Sequence, residues 1–189
     1  MSQVRDNIER EHYDKLQEAI LTDKHLRPNS KQKLQRTFCI LFFTGVRLNE
    51  VQELLIGNIV ELHTNGITSF ITPKTTTRRE LFISPDFKTE IEKYFDLQEN
   101  PDHKVIRKNR HPKTGIGNME YIKQTNKFMH KVLGEGFRTH SFRQGILTQF
   151  CTEGKSEAIA QRFIGHASID STRSYFKPTA KDVMMNLVR

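Results

Sequence analysis

Thr139-His140-Ser141-Phe142-Arg143, then Gly165-His166, then Asp170-Ser171-Thr172-Arg173-Ser174-Tyr175-Phe176 is the run of chain that decides how the rest is read. A tyrosine hydroxyl near its ordinary pKa of about 10 is a poor nucleophile at neutral pH and needs a dense cationic cradle. Thr139 is placed to cap a helix beginning at His140, so His140 and Arg143, three residues apart, share one face at its N-terminus. Free N–H groups and a partial positive charge at such an end suit a phosphate. Gly165 can take the left-handed conformation that ends a helix, which lets His166 turn sharply away. Tyr175 follows nine residues later and returns to the same cleft if a turn intervenes. Each residue alone has a plainer reading: an exposed helix start, a structural histidine in a turn, a tyrosine on the rim of a core. Of the four tyrosines only Tyr175 sits in such company.

Working outward, apolar positions Tyr13, Leu16 and Ile20 recur at helical spacing between Glu9 and Leu21, and Arg27-Pro28-Asn29-Ser30 interrupts them. A second helix runs from Lys31 to Thr44 and stops at Gly45, and a short third spans Leu48 to Leu55. Ile59 to Leu62, the turn His63-Thr64-Asn65-Gly66 and Ile67 to Thr72 carry a hairpin signal, and Glu80 to Ile83 adds a third strand. Between strands lies the cationic loop Pro73-Lys74-Thr75-Thr76-Thr77-Arg78-Arg79. Ser84-Pro85 opens a helix to about Leu97, and residues 99–117 form a polar, exposed connection. Helices then cover Asn118 to Leu133, His140 to Glu153 and Ser156 to Ile164, with a short one carrying Tyr175 and a last amphipathic segment beyond Pro178. The expected fold is mainly α with a small three-stranded antiparallel sheet, an α+β arrangement, in a single domain over residues 1–189.

Thirty Lys and Arg against 22 Asp and Glu leave a net charge of +8 over 189 residues, which favours a polyanionic partner without deciding it. Cys39 and Cys151 have neither CxxC spacing nor the density of a disulfide scaffold, so a reducing compartment is expected. No run reaches the ~20 apolar residues that span a bilayer, and the start lacks a signal-peptide stretch. An intracellular protein with no membrane partner is the expectation: cytoplasm or nucleoid in a prokaryotic or viral setting. No GxxxxGK loop, His-Glu-x-x-His pair or carboxylate pair with ligand spacing occurs, and no cofactor is expected.

His140-x-x-Arg143, Gly165-His166 and Tyr175, in this order and spacing, resemble the C-terminal half of the catalytic domain of the tyrosine recombinases, or phage integrases. Thr44-Gly45-Val46-Arg47-Leu48-Asn49-Glu50-Val51 is similar to that family's first arginine motif, and Lys74 stands where the family has its catalytic lysine. The resemblance covers residues 9 to 189. Gln144 replaces a second histidine found in many members and Val46 a common leucine, and neither position is one the resemblance makes catalytic.

The resemblance implies a domain that cleaves and rejoins double-stranded DNA through a covalent 3′-phosphotyrosine, without metal or ATP. Arg47 and Arg143 would neutralise the non-bridging oxygens, since a guanidinium fork gives two directed hydrogen bonds. His166 would add a donor, Lys74 would protonate the departing 5′-oxygen, and His140 would accept or relay the proton of Tyr175. Arg47 also fits a surface ion pair with Glu50, and Lys74, Arg78 and Arg79 fit a solvated loop. Arg78 and Arg79 on one hand, and Lys104, Arg107, Lys108 and Arg110 on the other, are equally candidates for phosphate contacts. Two other functions remain open: relaxation of DNA in the manner of a type IB topoisomerase, and DNA binding without catalysis. The family usually carries an N-terminal helical domain that closes around DNA, and the chain reads as a catalytic fragment or minimal enzyme lacking it. Self-association on DNA, as a tetrameric synapse when full length, and exchange of residues 179–189 between protomers are further expectations from the resemblance.

Overall fold

The computed structural model describes residues 6–72 and 76–165. In chain order these form α1 (Arg10–Thr22), α2 (Pro28–Thr44), α3 (Leu48–Val51), α4 (Ile56–Asn65), β1 (Ile67–Ile71), β2 (Arg78–Phe82), α5 (Pro85–Tyr94), α6 (Asn118–Leu133), α7 (Thr139–Thr152) and α8 (Glu157–Ile164). Lys74, His166, Tyr175 and the segment beyond Pro178 lie outside the described residues.

The mainly helical expectation holds. In α1 the stripe Tyr13, Leu16, Ile20 is buried, as its spacing requires. That stripe packs on α2, whose Phe38, Cys39, Ile40 and Leu41 are all buried because α1, α5 and α7 surround it. Aromatic rings knit these layers: Tyr13 stacks on Phe42 at 4.5 Å, Phe43 on Phe87 at 4.9 Å, and Phe38 on Phe142 at 5.8 Å. A smaller apolar cluster of Leu147, Ala160 and Ile164 joins α7 to α8. Truncating a fully buried member such as Leu16 to alanine should cost about 2–5 kcal/mol.

The sheet departs from the expectation in having two strands. Ile59 to Leu62, expected as a strand, is the middle of α4, because Ile56, Ile59 and Leu62 fall on one buried helical stripe. Asn58 Oδ1 accepts from the Leu55 N–H at 3.0 Å and starts that helix. Asn65-Gly66 does need a positive φ, but as a helix terminus: Gly66 has φ 79° and its N–H donates to the Leu62 carbonyl. β1 and β2 then pair antiparallel from Ile67 opposite Phe82 to Ile71 opposite Arg78. Thr68 and Phe70 of β1 and Arg79 and Leu81 of β2 are buried.

The connection across 99–117 is also less exposed than its composition implies. Val105 and Ile106 insert into the core, and the backbone around them bonds to the start of α4: Val105 N–H to Leu54 O at 2.9 Å, Ile56 N–H to His103 O at 2.8 Å. Glu99 anchors the segment by accepting from buried Arg36 at 3.1 Å and from His103, and by pairing with Arg107. Burial alone would raise the Glu99 carboxyl, yet the hydrogen bonds from His103 and Arg107 and the charge of Arg36 hold it below its ordinary value.

At the start of the described chain, the Ile8 N–H donates to the Ser141 carbonyl at 3.2 Å, and Asn7 donates to Thr148. Gly145 of α7 meets the Ile8 backbone so closely that a Cβ there would strike the Ile8 carbonyl. Among the described residues no helix is long and apolar enough to cross a membrane.

Candidate active site

The site is organised by the turn that ends α2. Thr44 is buried, its hydroxyl donates to the Ile40 carbonyl and accepts from the Val46 N–H, and Gly45 takes φ 58°. A side chain at Gly45 is excluded twice, by that left-handed φ and by Ile164 Cδ1 lying 2.7 Å from where its Cβ would be. The chain is thereby delivered between α7 and α8, with Arg47 directly before α3.

Arg47 donates from its backbone N–H to Glu50 Oε2 at 2.8 Å and from Nη1 to Glu50 Oε1 at 2.9 Å. Its side chain remains half-exposed, whereas that of Glu50 is buried. The surface ion pair allowed by the sequence is therefore present but one-sided, and the arginine is held by a carboxylate in the protein.

Arg143 arrives from the first turns of α7, buried, and donates from Nη1 to the Gly45 carbonyl at 2.9 Å. This bond places the two arginines expected to act together around one turn, with only Val46 between Gly45 and Arg47. Thr139, expected as the cap of α7, is its first helical residue; the Ser141 hydroxyl accepts from the Arg138 N–H at 3.1 Å in the capping role. His140 is exposed on the same first turn. Gly165 ends α8 with φ 67°, as its position before His166 implies.

Arg79 is where the geometry differs most from the reading of a phosphate-binding loop. It is buried, donating from Nη1 to Glu50 Oε2 at 2.8 Å and from Nη2 to the Thr44 carbonyl at 3.3 Å. Its side chain also lies against Gly165, whose Cβ would sit 3.3 Å from Arg79 Cδ. Burial lowers the guanidinium pKa, Glu50 opposes that and Arg47 adds to it, leaving it pushed down to about 10 and still protonated at neutral pH. The signal was in the strand itself, since alternation puts Arg79 on the inward face with Leu81 and Arg78 outward. Arg78 is exposed and donates to the Ser69 hydroxyl.

The other cationic candidates divide. Lys104 is tied to Glu53 at 3.0 Å and Arg107 to Glu99, each cation only partly exposed, while Lys108 and Arg110 are exposed on the tight turn closed by the Lys108 and Thr114 pairing. Around the Gly45 turn, Arg47 and Arg79 share the one buried carboxylate of Glu50 while Arg143 bonds the Gly45 carbonyl, so three guanidinium groups against one carboxylate leave an excess of positive charge suited to a phosphodiester. Among the described residues no group of three or more His, Cys, Asp or Glu is arranged to hold a metal ion.

Residues 7–182 match the model of the phage integrase family. Tyrosine recombinase XerA of Pyrococcus horikoshii is 27% identical over 146 residues, covering 75% of this chain and 49% of the relative, so the chain spans about half its length. Among solved structures, the crystal structure of XerA recombinase superposes with a TM-score of 0.72 at 18% identity, covering 98% of this chain and 63% of that one. The integrase of transposon Tn1549 in complex with circular intermediate DNA gives a TM-score of 0.66 at 16% identity, covering 99% of this chain and 67% of that one. The fold is that of these recombinases, and a match over nearly all of the sequence makes the chain a member of the phage integrase family, the tyrosine recombinases.

Proposed function

We propose that this chain cuts and rejoins duplex DNA as the strand-transfer domain of a site-specific recombinase, with Tyr175 as nucleophile. The observation that carries the reading is the Arg143 to Gly45 hydrogen bond, which gathers two guanidinium groups from distant parts of the sequence at one turn. Attack on a phosphodiester concentrates negative charge on the non-bridging oxygens, and preorganised arginines stabilise that charge without reorganising. Family membership and the DNA complex of the Tn1549 integrase support duplex DNA as the substrate.

In this reading His140 takes the proton as the Tyr175 oxygen attacks phosphorus, and the bond from phosphorus to the 5′-oxygen breaks. Lys74 supplies the proton that the departing 5′-hydroxyl needs, and His166 donates to the same phosphoryl oxygens as Arg47 and Arg143. One P–O bond replaces another, so the ester is conserved in the 3′-phosphotyrosine and a 5′-hydroxyl can reverse the step without ATP. Exchange between two duplexes needs several copies of the chain in one assembly, a synapse of four being the family's arrangement.

The test uses nicked suicide duplexes, whose cleaved strand loses a short fragment and so cannot be rejoined. The wild-type chain should form an SDS-resistant protein–DNA adduct, and Tyr175→Phe should lose it while still binding DNA. An adduct that persists in Tyr175→Phe would overturn the assignment. Relaxation of plasmids lacking paired sites, with no recombinant product, would instead favour topoisomerase behaviour.

A further inference from the structure

We propose that Arg79 is a positioning residue for strand cleavage, acting through Glu50 to aim Arg47 and packing on Gly165 at the end of α8. The proposal rests on the recombinase reading above. It assigns Arg79 an inward role in place of contact with DNA phosphates.

Three contacts carry it. Nη1 of Arg79 reaches Glu50 Oε2, Nη2 reaches the Thr44 carbonyl, and the aliphatic part of the side chain packs on Gly165. One side chain from β2 therefore joins the end of α2, the carboxylate of α3 and the end of α8. Only an extended, forked cation spans such a set; a lysine has one charged nitrogen for the two acceptors. Glu50 Oε2 is occupied by Arg79 and by the Arg47 N–H, which leaves Oε1 for the Arg47 guanidinium and fixes its direction. Arg79 is only 4% exposed, so it reaches no DNA phosphate without breaking the Glu50 pair.

Stability alone does not account for this choice. A buried ion pair commonly contributes no more than well-packed apolar residues of similar volume, whereas its loss on one side leaves an uncompensated charge. What the pair supplies is geometry. β2 also begins directly after the segment containing Lys74, so the same side chain ties that strand to the Arg47 turn.

The experiment is a double-mutant cycle on the full chain, comparing Arg79→Met, Arg79→Lys, Arg47→Ala and the Arg47→Ala combinations. Single-turnover adduct formation on a nicked suicide duplex is measured at saturating protein, alongside DNA affinity across a salt series. Arg79→Met should slow cleavage on the order of 10- to 100-fold, as misplacement of a catalytic group does. DNA affinity and its salt slope should stay unchanged, and Arg79→Lys should recover part of the rate. In the Arg47→Ala background the Arg79 effect should shrink to a few-fold. An equal loss in both backgrounds overturns the proposal as a merely structural effect. So does a weaker affinity with a shallower salt slope and an unchanged rate at saturation, which marks a phosphate contact.

If Arg79→Met does not melt cooperatively, Arg79→Lys takes its place in the cycle. A second readout needs no activity: the side-chain Nε–H resonance of Arg47 in a 15N spectrum, expected as a distinct signal in wild type and shifted part of the way toward solvent-exposed arginines in Arg79→Lys. If the wild type forms no adduct on any duplex, the recombinase reading falls, and this resonance still judges the positioning role. An Arg47 signal unmoved by Arg79→Lys overturns it.

Discussion

Arg143 donates a hydrogen bond from Nη1 to the carbonyl of Gly45 at 2.9 Å, and by this bond the helix carrying His140 is held to the turn carrying Arg47. Arg143→Lys keeps the charge but loses the fork. Strand cleavage should fall about 10²- to 10³-fold, the usual loss on removing one preorganised donor from a developing oxyanion. Single-turnover cleavage beside a thermal melt checks this, and near wild-type cleavage in a folded Arg143→Lys would contradict it.

Gly45→Ala meets both a left-handed φ and the Ile164 methyl. Backbone strain and overpacking together should cost about 2–3 kcal/mol. For a chain of this size that corresponds to a fall in melting temperature of about 4–12 °C. Ile164→Val in the same molecule relieves the contact but leaves the φ penalty, so it should restore only part of the loss.

Glu99 and Glu90 have folded-state carboxyl groups held below their ordinary values. For Glu90, burial opposes the shift, and hydrogen bonds from Lys93 and Tyr13 with the charges of Lys93 and Arg10 overcome it. Depressed carboxylates stabilise fully above the unfolded value of about 4.3, and that contribution disappears as pH falls through the folded value. The melting temperature should therefore hold from neutrality to about pH 5 and drop below it. Glu99→Gln should be less stable than wild type at neutral pH, because Arg36 loses its counter-charge, and should show a shallower decline in acid.

The cations of the 103–113 segment should separate by burial. Lys108→Ala and Arg110→Ala, both exposed, are expected to weaken DNA binding uniformly across sequences and to lower the salt slope by about 1 each. Arg107→Ala should reduce thermal stability by breaking the Glu99 pair and leave the salt slope in place. A salt-dependence series on a noncognate duplex measures all three.

With the charge work assigned to Arg47, Arg143, Lys74 and His166, cleavage of a suicide substrate should proceed at the same rate in excess EDTA and without nucleotide. A rate that collapses with chelator and recovers with a divalent cation would count against that assignment.

The helices were legible because their signals were redundant: the Tyr13, Leu16, Ile20 stripe, Ser84-Pro85 at the start of α5, and glycine at the ends of α2 and α8. α4 was not, because a short apolar run flanked by Asn-Gly satisfies strand and helix rules alike, and only the burial of Ile56 with Ile59 and Leu62 separates them. Val105 and Ile106 were hidden by the charged residues around them, whose cations turn inward to Glu53 and Glu99. At the site, Arg47 and Arg143 could be named from their motifs. The Glu50 carboxylate shared with Arg79 could not, since nothing local tells an arginine on a strand that its partner lies 29 residues earlier.

The contact between Ile8 and Gly145 bears on how this domain can be engineered. A cargo joined rigidly ahead of Asn7 would be coupled, through the Ile8 to Ser141 hydrogen bond, to the same helix that presents Arg143. Torque from such a fusion should register as altered turnover, while a flexible Gly/Ser tether of equal mass should leave turnover intact. On that outcome the Asn7–Ile8 segment is a mechanical input to the chemistry, and linker stiffness is the variable to control in any chimera.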